Sequence, residues 1–232
     1  MKEFNDFKEK CNKISENIRE IDSETIIDGV INIEKYFNLP KDKPKILWVL
    51  KEANSNDKSW DYQDLLSTQR LKETRNYSII SIRRVIYSSY GILNDFKTIQ
   101  ESPHISDENV YRTAEQIAYI NINKRTGGSV SVDAKLFEAY AIFRDIILEQ
   151  INVYNPDIII FGNTMKYIFE DLKLNVNDKL YVNNDTYNTA YYTTDKQLYI
   201  YPWHPSKPNK GGDAVYCNEI IEIAKKWWLN KK

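Results

Sequence analysis

The sequence predicts an α/β protein, a three-layer α/β/α sandwich around a central, mainly parallel sheet. Three observations carry this reading. The strand candidates Lys45–Leu50, Gln116–Ile122 and Asp157–Gly162 are continuous apolar runs rather than alternating ones, as in strands covered on both faces. Segments with helical periodicity separate them. Each run also ends abruptly in polar residues, where parallel sheets place their ligand crevice.

Taken in order, Phe4, Phe7, Cys11, Ile14, Ile18 and Ile21 recur at three- and four-residue steps and predict one buried face of an amphipathic helix. A second helix is expected from about Glu24 to Phe37, stopped by Leu39-Pro40. The strand Lys45–Leu50 runs into Lys51-Glu52-Ala53-Asn54. Tyr77–Tyr90 predicts a helix ending at Gly91, and Asn94–Asn109 a polar surface excursion. The second strand ends near Asn121 and feeds a loop from Asn123 to Ser129. Asp133 is the expected cap of a long helix in which Leu136, Tyr140, Phe143, Ile147 and Ile151 share a face, broken by Asn155-Pro156. After the Ile-rich strand at 157–162, Asn163-Thr164 starts a helix. Tyr- and Thr-rich segments at about Asp185–Thr193 and Gln197–Pro202 predict further strands, and Tyr216, Ile220, Ile223 and Trp227 mark a closing helix.

At 232 residues and roughly 150 residues per domain, the chain reads as one elaborated domain, residues 1–232, with residues 1–40 as a helical extension. Thirty-two basic against thirty-three acidic residues give a net charge of −1, which excludes a binder working by bulk positive charge. No apolar run approaches a membrane span and the first twenty residues are charged throughout, so the expectation is a cytoplasmic protein with no membrane partner. Two distant cysteines make neither a disulfide framework nor a zinc ribbon, and with only two histidines beside them they argue against a zinc deaminase; no metal and no cofactor are expected. The basic run Arg70, Lys72, Arg75, Arg83 and Arg84 reads as a solvated helix face, with an extension of a nucleic-acid track as the alternative.

Four strand ends would converge on one rim: Glu52-Ala53-Asn54, Asn121–Ser129, Gly162-Asn163-Thr164 and His204-Pro205-Ser206. This ordered set, above all His-Pro-Ser shortly before the last helix, resembles the uracil-DNA glycosylase superfamily over roughly Lys45–Trp228, as a divergent member. The resemblance implies cleavage of the bond between a base and deoxyribose, with the target nucleotide unstacked or single-stranded. It gives His204 the role of hydrogen-bonding the leaving base and Asn121 that of reading its edge. Asn163 would help shape the base pocket. Ser206, Lys207 and Lys210, joined by Lys124 and Arg125, would hold phosphate. Trp60, Tyr62 and Trp203 are the aromatic residues at hand for stacking the base, with Trp60 and Trp203 taken as binding residues.

The departures from the family are as informative. Its first motif opens with glycine and holds a proline, where this chain has Lys51 and Asn54; Ala53 stands where one branch has a water-positioning aspartate. Glu52 is therefore the expected water-orienting or cation-stabilising group, with Asn54 second. After His-Pro-Ser the chain has Lys207-Pro208-Asn209-Lys210 instead of an apolar wedge, which favours an exposed or damaged base over intact duplex. The implied partner is DNA, single-stranded or carrying a modified base, bound by a monomer. Two alternatives stand beside hydrolysis: a non-catalytic module that binds modified bases on the same fold, and a nucleobase- or nucleoside-binding protein.

Overall fold

The computed structural model describes every residue except 56, 58, 129, 183–188, 208–211 and 232. In chain order the elements begin with α1 (Lys2–Ile21), β1 (Gly29–Val30), α2 (Ile33–Phe37), β2 (Ile46–Leu50) and β3 (Ala53–Asn54). There follow α3 (Tyr62–Leu65), α4 (Thr68–Thr74), α5 (Ile80–Leu93), α6 (Glu108–Tyr111), β4 (Ala118–Asn121) and β5 (Thr126–Gly127). The chain continues with α7 (Asp133–Tyr154), β6 (Ile158–Phe161), α8 (Met165–Ile168), β7 (Leu180–Tyr181), β8 (Ala190–Thr193), β9 (Leu198–Tyr201) and α9 (Gly212–Lys231).

Seven strands form one sheet in the order β1-β4-β2-β6-β9-β8-β7. The middle four, β4-β2-β6-β9, are parallel, and antiparallel strands flank them on both sides. Every side chain of β2, β4 and β6 is buried, which is why these strands read as unbroken apolar runs. Alternation along them feeds two cores. Ile46, Trp48 and Leu50 pack with α5 and α9 on one face; Leu47 and Val49 pack with α1 and α7 on the other. The result is an α/β/α sandwich. Parallel pairing brings the last residues of the four middle strands, Leu50, Asn121, Phe161 and Tyr201, to one edge.

Several local expectations need correction. The segment Glu24–Phe37 is not one helix: β1 pairs antiparallel with β4, and only Ile33–Phe37 is helical. Gly29 has φ +148 and Asp28 turns inward, so two adjacent residues break the helical pattern. Helix α5 runs through Gly91 to Leu93, because a Cβ at position 91 would collide with Ile221 and the Lys97 carbonyl; the glycine allows α5 to approach α9. Asp133 does not cap α7; it is the first helical residue, and its carboxylate accepts from Lys166 and Tyr167. Asp185 and the rest of 183–188 lie outside the described residues.

Candidate active site

The last residues of β2 and β6 meet the loop after β9. A Cβ added to Gly162 would collide with Leu50 Cδ2 and lie 2.9 Å from Pro205 Cδ and 3.8 Å from His204 Cα. Glycine is what lets the His204-Pro205-Ser206 loop settle on the sheet edge. Arg84 of α5 holds the loop from beneath. It is 1% exposed, and its Nη1 donates to the carbonyls of Pro205 (3.1 Å) and Lys207 (2.7 Å) while its Nε donates to Asp213 of α9 (2.8 Å). Its guanidinium also lies 4.9 Å from the Tyr216 ring, and the Tyr216 hydroxyl donates to the Trp203 carbonyl. The basic run is thus not uniformly a solvated face: Arg84 is internal, and Arg83 shares Asp213.

Within this loop the His204 ring has a defined tautomer. The backbone N–H of Ser206 donates to His204 Nδ1 at 3.3 Å, and Ser206 Oγ lies 2.7 Å from the same nitrogen. An atom that accepts from an N–H carries no proton, so the ring proton sits on Nε2. Burial lowers the pKa of His204 to about 4, and the nearby ammonium groups of Lys51 and Lys207 add to the effect. The ring is neutral near pH 7. Among the described residues Nε2 has no protein acceptor.

Asn121 ends β4 beside Leu50 of β2. Its backbone N–H donates to Asp28 Oδ2 at 2.7 Å, and its side-chain Oδ1 is buried with no hydrogen-bond partner among the described residues. The amide faces Tyr62, whose hydroxyl burial pushes up to about 12 against opposing hydrogen bonds from Asn121 and Tyr119. Tyr62 stacks on Tyr119 at 4.5 Å, and Trp60 meets Tyr62 edge-on at 5.0 Å. The Trp60 indole N–H donates to Ser55 Oγ and the Asp57 carbonyl. Of the three candidate platforms, Tyr62 is the one against Asn121; Trp203 is 43% exposed.

Glu52 is on the same edge. Its Oε2 accepts from Asn123 Nδ2 at 2.9 Å, and its side chain covers Gly127, where a Cβ would collide with it. Asn54 is exposed on β3, paired with Gly127 of β5. Lys51 stands among Asp133, Lys166, Lys207 and Glu52, and its own pKa is lowered by burial.

Other candidates are used differently. Asn163 takes a left-handed backbone (φ 58) that asparagine tolerates, and its Oδ1 accepts from Tyr201, a residue of the α1/α7 core face. It shapes the turn. The Ser206 hydroxyl is engaged with His204 rather than free to grip phosphate. Lys124 is a correction: its ammonium is fully buried, donating to Asp28 (2.7 and 3.0 Å) and to Gln150 Oε1 (2.7 Å). Arg125 is another, because its guanidinium pairs with Asp22 and lies 5.5 Å from the Phe143 ring. Lys207 is exposed beside His204, and Lys210 lies outside the described residues.

Sequence reading missed Lys51, Arg84 and Asp28 as members of this site. The first could have been found from its place directly after β2; the other two carry no local signal. Among the described residues no group of three or more His, Cys, Asp or Glu side chains is placed to hold a metal ion, and no helix is long and apolar enough to cross a membrane. The chain matches no family model and no curated protein.

Proposed function

We propose that this chain is a divergent uracil-DNA glycosylase-like hydrolase, which cleaves the N-glycosidic bond of a deaminated or otherwise modified base in DNA. The observation that carries the reading is the neutral His204 with its proton on Nε2, pinned through Nδ1 by Ser206. A neutral donor is what a departing base anion needs. It stabilises negative charge that grows only as the bond breaks, an effect worth about 3 kcal/mol per positioned donor.

The unfilled Oδ1 of Asn121 supports the same reading, because a buried acceptor calls for a ligand N–H. The strands that carry Asn121 and His204 are three strand spacings apart, about 14 Å, a span that two inward side chains and one planar base can bridge. A base offering N–H to Asn121 and a carbonyl oxygen to His204 has a lactam or imide edge, as deaminated bases do. Tyr62 supplies a stacking face beside Asn121.

In the proposed reaction the C1′–N bond breaks with its electron pair passing to the base, leaving an oxocarbenium-like sugar. His204 holds the anionic carbonyl oxygen and Lys51 adds positive potential. Glu52 orients a water whose oxygen adds to C1′; the water's proton leaves to solvent or to the carboxylate, and the base is reprotonated on release. The DNA strand lies along Lys207 and the His204-Pro205-Ser206 turn before it, and the protein acts as a cytoplasmic monomer.

The test is incubation of the purified protein with single- and double-stranded oligonucleotides bearing uracil, hypoxanthine, xanthine or modified cytosines. Alkali-labile abasic sites that vanish in His204→Ala support the proposal; no abasic site on any substrate overturns it. One observation favours a second reading, a base-binding module without hydrolysis: Ala53 is buried and has no side-chain acceptor for water, so only Glu52 remains for that task. Saturable, salt-dependent binding of the same oligonucleotides without cleavage selects it, and binding of free nucleobases alone selects a small-molecule site.

A further inference from the structure

A cleft of about 850 Å³ opens at the amino-terminal edge of the parallel strands, the opposite end of the sheet from His204. Lys45, the residue before β2, stands in its wall. The Lys45 backbone is fixed on both sides: its N–H donates to Asp157 Oδ2 at 3.0 Å, and its carbonyl accepts from the N–H groups of Asp157 and Ile158. Its ammonium lies 5.3–5.8 Å from the ring centres of Phe7, Tyr36 and Phe37. Rings attract the charge but cannot accept three N–H bonds in good geometry. Among the described residues the ammonium makes no hydrogen bond or ion pair, and Asp157 acts on it only as a nearby charge.

Four more lysines line the cleft, Lys41, Lys43, Lys196 and Lys231, against the carboxylates of Glu3, Asp157 and Asp195. Asp157 is already taken by Lys231 (3.0 Å) as well as by the Lys45 backbone, and Glu3 and Asp195 are exposed on the rim. Lys43 pairs with Asp95 (2.8 Å), which leaves Lys41 and Lys196, both exposed, beside Lys45. In a chain of net charge −1 this is a small local excess of positive charge around a half-buried ammonium. Phe37, Leu39, Ile151 and Pro156 contribute apolar wall. The volume falls within the roughly 300–1,000 Å³ of small-molecule sites and is far too large for a bare oxyanion.

We infer that this cleft binds a small organic phosphate, its phosphate on the Lys45 ammonium and its apolar or aromatic body against Phe37 and Ile151. The site is independent of the proposed hydrolysis, since it shares no residue with the His204 edge. The experiment titrates the full chain with phenyl phosphate, adenosine monophosphate, inorganic phosphate and, as a neutral control, benzyl alcohol, by calorimetry and by backbone amide shifts. Expected are saturable binding of the organic phosphates, at least tenfold weaker binding of inorganic phosphate, and shifts confined to residues near 39–45, 151–157 and 195–197. Lys45→Met keeps the stem among the rings and is expected to weaken binding at least tenfold, Lys45→Arg to retain it, and His204→Ala to leave it unchanged. Absence of saturable binding by any phosphate overturns the inference, as do shifts located elsewhere in the wild-type protein or equal affinity in Lys45→Met.

Discussion

The ammonium of Lys124 lies 2.7 Å from the carboxylate of Asp28, and neither side chain has any contact with solvent. Asp28 also accepts from the Asn121 backbone and from Gln150 Nε2 at 2.9 Å, so the pair anchors the end of β4 to α7. Lys124→Met leaves a buried carboxylate with its countercharge gone and is expected to destabilise the fold by roughly 3–5 kcal/mol. Adding Asp28→Asn removes the stranded charge and restores part of that loss. Urea unfolding of both variants checks it; an additive double variant is the contrary result.

Arg84 supports the candidate site without lining it. Arg84→Met strands the carbonyls of Pro205 and Lys207 and half of the Asp213 pairing. The expected cost is about 3 kcal/mol, in keeping with hydrogen bonds to a buried charge. In the folded variant, amide exchange in residues 203–207 should rise more than in α7. Uniform exchange across the molecule would remove the loop-anchoring role.

The pH dependence of stability carries a sign for His204. Burial, reinforced by Lys51 and Lys207, holds its folded-state pKa at about 4, against an ordinary 6.5. Between these values the unfolded chain binds the proton and the folded one does not, so stability falls as pH falls from 6.5 toward 4 and this contribution is constant above 6.5. His204→Gln is expected to show a shallower decline over that window. Matching slopes in the two proteins would contradict the half-buried, neutral ring. A histidine ring titration by NMR reads the same midpoint directly.

Asn121 and its orphan acceptor make a stability–function contrast. Asn121→Leu removes a buried carbonyl that lacks a partner but also the amide's hydrogen bond with Tyr62, and the two effects offset, so its stability is expected within about 1 kcal/mol of wild type. Base binding and cleavage should nevertheless be lost. A loss of several kcal/mol would mean that the amide serves the fold instead.

Gly127 gives access to Glu52 without touching it. A Cβ at this position meets the end of the Glu52 side chain, which can swing away, and no positive φ opposes alanine. Gly127→Ala is expected to leave stability within about 1 kcal/mol of wild type while displacing the carboxylate from Asn123. If Glu52 orients water, cleavage drops at least tenfold with oligonucleotide binding retained. Unchanged cleavage would move that role elsewhere.

The layered fold was legible because it depends on patterns inside single segments. Buried parallel strands announce themselves as apolar runs such as Ile158–Phe161, and α1 and α7 show their inward faces at helical spacing. That polar residues follow these strands on a common edge also needed only parallel pairing. The β1 edge strand was not legible: two residues long, it is held by its pairing with β4, a partner about ninety residues away in sequence.

The fate of charges lay beyond local reading altogether. Lys124 and Arg125 look alike in sequence, neighbouring cations in a polar loop, yet one is sealed in the core and the other pairs at the surface. The difference comes from Asp28 and Gln150, 96 and 26 residues from Lys124, which converge on it once β4 is seated and α7 packs behind the sheet. Arg84 is internal for the same reason, because Asp213, 129 residues on, meets it across the α5–α9 contact. Hydropathy is a property of each side chain and survives in the linear pattern. The desolvation of an ion is set by its neighbours, and those neighbours exist only when the chain is folded.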